Sequence, residues 1–142
     1  MIKKNDFISG QYVWTGFDYI GEPTPYGWPA RSSYFGIVDL AGFPKDVYYL
    51  YQSEWTDKQV LHLFPHWNWT EGQDVDMWCY YNQADEVELF VNGKSQGIKS
   101  KDDNHLHVFW RVKYEREVLR LLLEKQEQWL PKKKFVQREH RV

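Results

Sequence analysis

FISGQYVWTGFDY, residues Phe7 to Tyr19, opens as a short apolar segment punctuated by Gly10 and Gly16. Ile8, Tyr12, Val13, Trp14 and Phe17 are its apolar elements. A continuous run of this kind suits a strand buried on both faces, as in a parallel sheet. GEPTPYGWP follows at Gly21 to Pro29, with three prolines and two glycines in nine residues. Proline fixes φ and removes a donor, so no regular element crosses this stretch. A strand leading into a long stiff loop is where α/β barrels carry their chemistry. Pro44 then opens a predicted helix, Lys45 to Trp55, with Asp46 at its positive end and Val47, Leu50, Tyr51 and Trp55 at helical spacing. Residues 7–55 thus read as one β/α unit, which alone can neither close a barrel nor bury its own strand.

Downstream the period changes. Val60 to Phe64 alternates in part, and Asp74 to Tyr81 (DVDMWCYY) alternates polar and apolar in its first half. Val87 to Val91 is followed by Asn92-Gly93, a strong hairpin signal because both residues tolerate the positive φ of a type I′ turn. Ser95 to Ile98 is the returning strand, and His107 to Val112 is another. Several short strands with turns between them predict a β-sandwich.

Composition narrows the class. The 142 residues carry 18 Lys plus Arg against 20 Asp plus Glu, a formal charge of −2. No global basic field is present to attract nucleic acid. Mean hydropathy is −0.71, and no apolar run approaches the roughly 18 residues of a membrane span. The first residues lack the apolar centre of a signal peptide. A single cysteine, Cys79, excludes an intramolecular disulfide and a cysteine-based zinc site, and it reads as a small buried apolar group. The outlier is 8 Trp, 10 Tyr and 8 Phe, rings that fill cores and also stack on ligands.

Three blocks carry a family resemblance: SGQYVWTGFDYIGEPTPY (Ser9 to Tyr26), SSYFGIVDLAGFPKD (Ser32 to Asp46) and YYLYQSEW (Tyr48 to Trp55). They resemble the end of the catalytic barrel of glycoside hydrolase family 2, the β-galactosidase group. HLFPHWNW (His62 to Trp69) and NQADEVELFVNGKSQG (Asn82 to Gly97) resemble the immunoglobulin-like sandwich that follows that barrel in bacterial members. The resemblance implies a mainly β chain with a small α/β part: the last β/α unit of a TIM barrel, then an incomplete immunoglobulin-like sandwich. It implies domains at 1–57 and 58–120. It also implies retaining hydrolysis by two glutamates about 5–5.5 Å apart. In the family both lie on strands before the eighth, so this chain is expected to hold no catalytic residue and to be inactive alone. A carbohydrate-binding or accessory sandwich module is the alternative. No cofactor or metal is implied. The implied partners are a β-galactoside or related oligosaccharide and the missing N-terminal portion of the enzyme. The compartment of the chain stays open; that of the parent is expected to be periplasmic or secreted. Sugar and linkage stay open too, since the family includes galactosidases, mannosidases and glucuronidases.

The substrate-binding candidates are Trp14, Asp18 and Glu22. Trp14 ends the expected strand, and the matching family residue is an apolar floor under the sugar; a core Trp at the barrel mouth is the plainer reading. Asp18 and Glu22 are carboxylates four residues apart, but a working dyad needs one acid kept protonated by a dry pocket. Glu22 before Pro23 better suits loop backbone donors. Arg31, Asp39, Lys45 and Asp46 are candidates for ion pairs that anchor the loop to the helix, and exposed pairs of this kind contribute little. Trp67 and Trp69 form either a sugar-binding face or packing at the barrel–sandwich junction; a binding module would use them with Trp14 and Trp28. His62, His66 and His105 are too scattered for a metal triad. Asn68-Trp69-Thr70 is a glycosylation sequon, a pattern that arises often by accident.

After Gly97 glycine is absent, and LRLLLEKQEQWLPKKKFVQREHRV, from Leu119, turns basic and polar. One allowed set of codons for residues 120–139, read in a shifted frame after the first, encodes RAVAGKTGTVVAEKEIRTAG, which has a glycine-bearing turn between two β-like segments. Residues 121–142 are therefore expected to be an out-of-frame or non-native tail. An amphipathic helix using Leu119, Leu122, Leu123 and Leu130 is the plainer reading.

Overall fold

The computed structural model describes residues 5–116 and 119–124. It is mainly β with little helix, and it divides into two compact units, Met1–Tyr51 and Gln52–Val142.

In the first unit the strand expected from Phe7 to Trp14 is not formed, and Phe7, Tyr12 and Trp14 are exposed. A strand needs neighbours for its N–H and C=O groups, and among the described residues none lies alongside this segment as a strand. Order begins one residue later, where 15–21 lies against 31–38. Ile37 N donates to Thr15 O and Val38 N to Gly16 O, both at 3.0 Å. Asp18 N donates to Val38 O and Ser33 N to Tyr19 O, both at 2.9 Å. The helix α1 spans Asp46–Trp55. It starts one residue after the predicted Lys45, whose N donates to Ile37 O at 3.0 Å, and Pro44 bridges Val38.

The second unit holds β1 (Leu61–Phe64), β2 (Asp74–Tyr81), β3 (Glu86–Val91), β4 (Lys94–Lys99), β5 (Val108–Lys113) and β6 (Leu119–Glu124). They form two antiparallel three-stranded sheets, ordered β1-β2-β5 and β4-β3-β6. Period-2 alternation puts Val75, Met77, Cys79 and Tyr81 of β2 on one face, with Val108, Trp110 and Val112 of β5 beside them. Val87, Leu89 and Val91 of β3 belong to the same buried cluster, as do Trp67, Tyr114 and Leu121. Burial pushes the Cys79 thiol up to about 12, so it stays protonated at neutral pH.

The Asn92-Gly93 turn has φ of 51° and 78°, and Val91 faces Lys94 across it. Further along, the register shifts by one between Glu88↔Ile98 and Phe90↔Ser95, and Gly97 in β4 takes φ of 98°. The carbonyl of Gly97 accepts from Trp110 Nε1 at 2.9 Å, tying one sheet to the other. β6 runs to Glu124, four residues past Arg120, in register with β3. The rest of the segment expected to be out of frame, 125–142, lies outside the described residues.

Candidate substrate rim

The rim is built on the pairing of 15–21 with 31–38. Asp18 is 7% exposed. Its Oδ1 accepts from Gly36 N at 2.7 Å and Lys45 Nζ at 2.8 Å, and Oδ2 lies 2.7 Å from the same ammonium. The hydrogen bond from Lys45 leads the causes that hold the Asp18 carboxyl below the usual range. Lys45 Nζ also donates to Tyr34 O at 2.9 Å, so one ammonium pins two points of the rim. Gly36 makes the approach possible: a Cβ there would meet Asp18 N at 2.2 Å and Phe17 C at 2.4 Å. Ser33 is fully buried, and its Oγ accepts from Tyr19 N at 3.0 Å.

Tyr19 packs edge-on against Phe35, with centroids 5.7 Å apart, and its hydroxyl donates to Glu22 Oε2 at 3.4 Å. Glu22 is exposed. Asp18 and Glu22 are thus in opposite situations, one buried with both oxygens engaged, the other in water. An acid/base pair needs one carboxyl held protonated, and Asp18 is held ionised. Trp14 stands 76% exposed beside this frame, joined to Thr15 by a cis peptide. Trp28, 86% exposed on the proline-rich loop, has the Arg31 guanidinium 5.9 Å from its ring centre.

Of the expected loop anchors, Lys45 pairs with Asp18. Asp39 instead takes backbone donors, its Oδ1 accepting from Ala41 N at 2.9 Å and Phe43 N at 2.8 Å. Sequence reasoning missed Ser33 and Gly36 as frame residues, because their partners lie 14 and 18 positions away. Trp67 is 8% exposed within the sheet core and its Nε1 donates to Glu115 O at 3.2 Å. Trp69 packs against the same core and donates to His66 O at 2.7 Å. Among the described residues no group of three His, Cys, Asp or Glu is placed to hold a metal, and no helix is long and apolar enough to cross a membrane.

Three comparisons with known proteins bear on the class. Residues 72–120 match the family model described as "Domain of unknown function (DUF4982)". A solved family 2 glycosyl hydrolase from Bacteroides cellulosilyticus shares the fold with a TM-score of 0.73 and 25% identity, over 88% of this chain and 21% of that one. A β-glycosidase from Bacteroides vulgatus gives a TM-score of 0.70 and 38% identity, over 88% of this chain and 16% of that one. Sequence and fold together place the chain in glycoside hydrolase family 2, as a segment of such an enzyme. The relative that carries this is β-galactosidase BoGH2A of Bacteroides ovatus, 83% identical over 122 residues. That match takes in 86% of this chain and only 14% of the relative's length.

Proposed function

We propose that the chain is the last barrel unit and the following sandwich of a retaining β-galactosidase-like enzyme. The observation that carries this is the 83% identity to β-galactosidase BoGH2A. In this reading residues 1–57 are the end of the catalytic barrel and 58–120 an immunoglobulin-like domain. Trp14 is the apolar floor beneath the bound sugar, where a ring face meets the polarised C–H groups of a β-galactoside. Its exposure, beside a frame locked by Asp18, Gly36 and Lys45, supports that role. Asp18 acts by holding the rim in shape. Glu22, in water and bonded to Tyr19, is the polar group free to face substrate hydroxyls.

The acid/base and nucleophile belong to upstream barrel strands, so the chain alone does not hydrolyse glycosides. The test is assay of a chromogenic β-galactoside with the pure chain and with the chain joined to the upstream part of the relative. Turnover is expected only in the joined form; turnover by the chain alone overturns the reading. A purely sugar-binding module is less well supported, because Trp67 and Trp69 are taken up by the core.

The same reading extends to the tail. The family match stops at residue 120, where the basic, polar stretch begins. A change of frame near Arg120 accounts for this. Sequencing the coding DNA through codon 142 tests it: a one-base slip supports the idea, and a verified frame ends it.

A further inference from the structure

Among the asparagines only Asn92 is followed by glycine. The chemistry of that pair is intrinsic. The Gly93 backbone nitrogen attacks the Asn92 side-chain carbonyl carbon, the C–N bond to the side-chain nitrogen breaks, and ammonia leaves. Water then opens the resulting succinimide to aspartate or to isoaspartate, in which the backbone runs through the side-chain carbon. Glycine favours the attack because it has no Cβ to obstruct the approach.

The fold surrounds this pair with a specific device. Asn92 is exposed at the β3–β4 turn, and its Nδ2 donates to Glu115 Oε2 at 2.7 Å. Glu115 is itself fixed, since its carbonyl accepts from Trp67 Nε1 at 3.2 Å. Next to it, Tyr114 N donates to Gln73 O at 2.7 Å and Tyr114 O accepts from Gly72 N at 2.9 Å. The carboxylate therefore latches the hairpin tip of one sheet to the corner that follows β5 of the other.

We infer that Asn92 is a deamidation site guarded by Glu115, and that the modification reverses the sign of the latch. While residue 92 is an amide, the carboxylate accepts its hydrogen and holds the leaving nitrogen in place. Once residue 92 carries a carboxylate, two negative charges face each other at the same contact and the tip is pushed off the corner. An isoaspartate also lengthens the backbone of a two-residue turn that Val91 and Lys94 close.

The test uses the full chain, aged at mildly alkaline pH and read by mass spectrometry for a gain of about one dalton in the peptide holding residue 92. Modification at Asn92 before any other asparagine is expected, roughly threefold to tenfold faster in Glu115→Ala. The unfolded chain in denaturant gives the unguarded rate, and there Glu115→Ala should change nothing. As a second readout, Asn92→Asp should melt lower than the parent, and adding Glu115→Gln should recover much of the loss, since a Gln amide donates to the new carboxylate. Equal ageing rates with and without Glu115 in the folded chain, or an Asn92→Asp melting loss that Glu115→Gln leaves unchanged, overturns the inference.

Discussion

At the residue scale the rim depends on one missing methyl. Gly36 sits so close to Asp18 N and Phe17 C that any Cβ must push backbone aside. Gly36→Ala should cost the first unit about 3 kcal/mol, seen as faster proteolysis between residues 15 and 38 while the sheet core melts as before. A second residue speaks to pH. His107 packs on Trp78 with centroids 4.5 Å apart and lies 5.8 Å from the His105 ring, which Asp102 binds at 2.9 Å. Burial first, and the charge of His105 second, hold the His107 pKa below 6.5, against a weaker opposite pull from Asp102. The neutral ring is thus favoured in the native state. Stability should be full above pH 6.5 and fall as pH drops below it, because the unfolded state takes up the proton first. His107→Gln should flatten that slope in urea midpoints taken across the range; an unchanged slope would mean the ring is not the titrating group.

At the element scale the two sheets stand on alternation, and the pattern was readable beforehand. The first half of DVDMWCYY showed the alternation that puts Val75 and Met77 of β2 on the core face, and Asn92-Gly93 marked the β3–β4 turn to the residue. Local periodicity and turn chemistry carry that information within a few positions. The register slip at Gly97 was not readable, since it depends on the Trp110 indole reaching its carbonyl from another strand. Leu89, fully buried at the centre of β3, is the position to test. Leu89→Ala should lower stability by about 2–5 kcal/mol with an unchanged denaturant slope, provided the cavity does not collapse. A loss under about 1 kcal/mol would mean the sheets close over the gap.

At the scale of the whole molecule the two units differ in kind. The second has a core of Trp, Val, Met, Leu and Tyr between its sheets. The first exposes Phe7, Tyr12, Trp14, Phe17 and Trp28, large apolar surfaces that soluble chains rarely leave bare. Hydrogen exchange should therefore show the amides of β2, β3 and β5 protected longest and those of residues 5–45 exchanging early, with an apolar dye bound by the native chain. Equal protection across both units would contradict this account of where the stability lies. On the proposed reading, joining the chain to the upstream part of the relative should slow exchange in 5–45, where the exposed rings lie.

Sequence alone determined the β character of 60–113, the hairpin at Asn92-Gly93, the irregular proline loop and the helix before Trp55, all set by neighbours a few residues apart. It also carried the family resemblance, because several blocks recur in order. Tertiary structure decided the rest. The apolar run from Phe7 to Trp14 has strand chemistry but forms no strand, since among the described residues no strand lies alongside it to take its backbone groups. Asp18, a plausible sugar ligand by position, is claimed by Lys45 and Gly36 from 27 and 18 residues away. Trp67 points into a core that exists only once two sheets meet. Each outcome turns on which distant groups the fold brings within hydrogen-bond or van der Waals reach, and local sequence does not encode that distance.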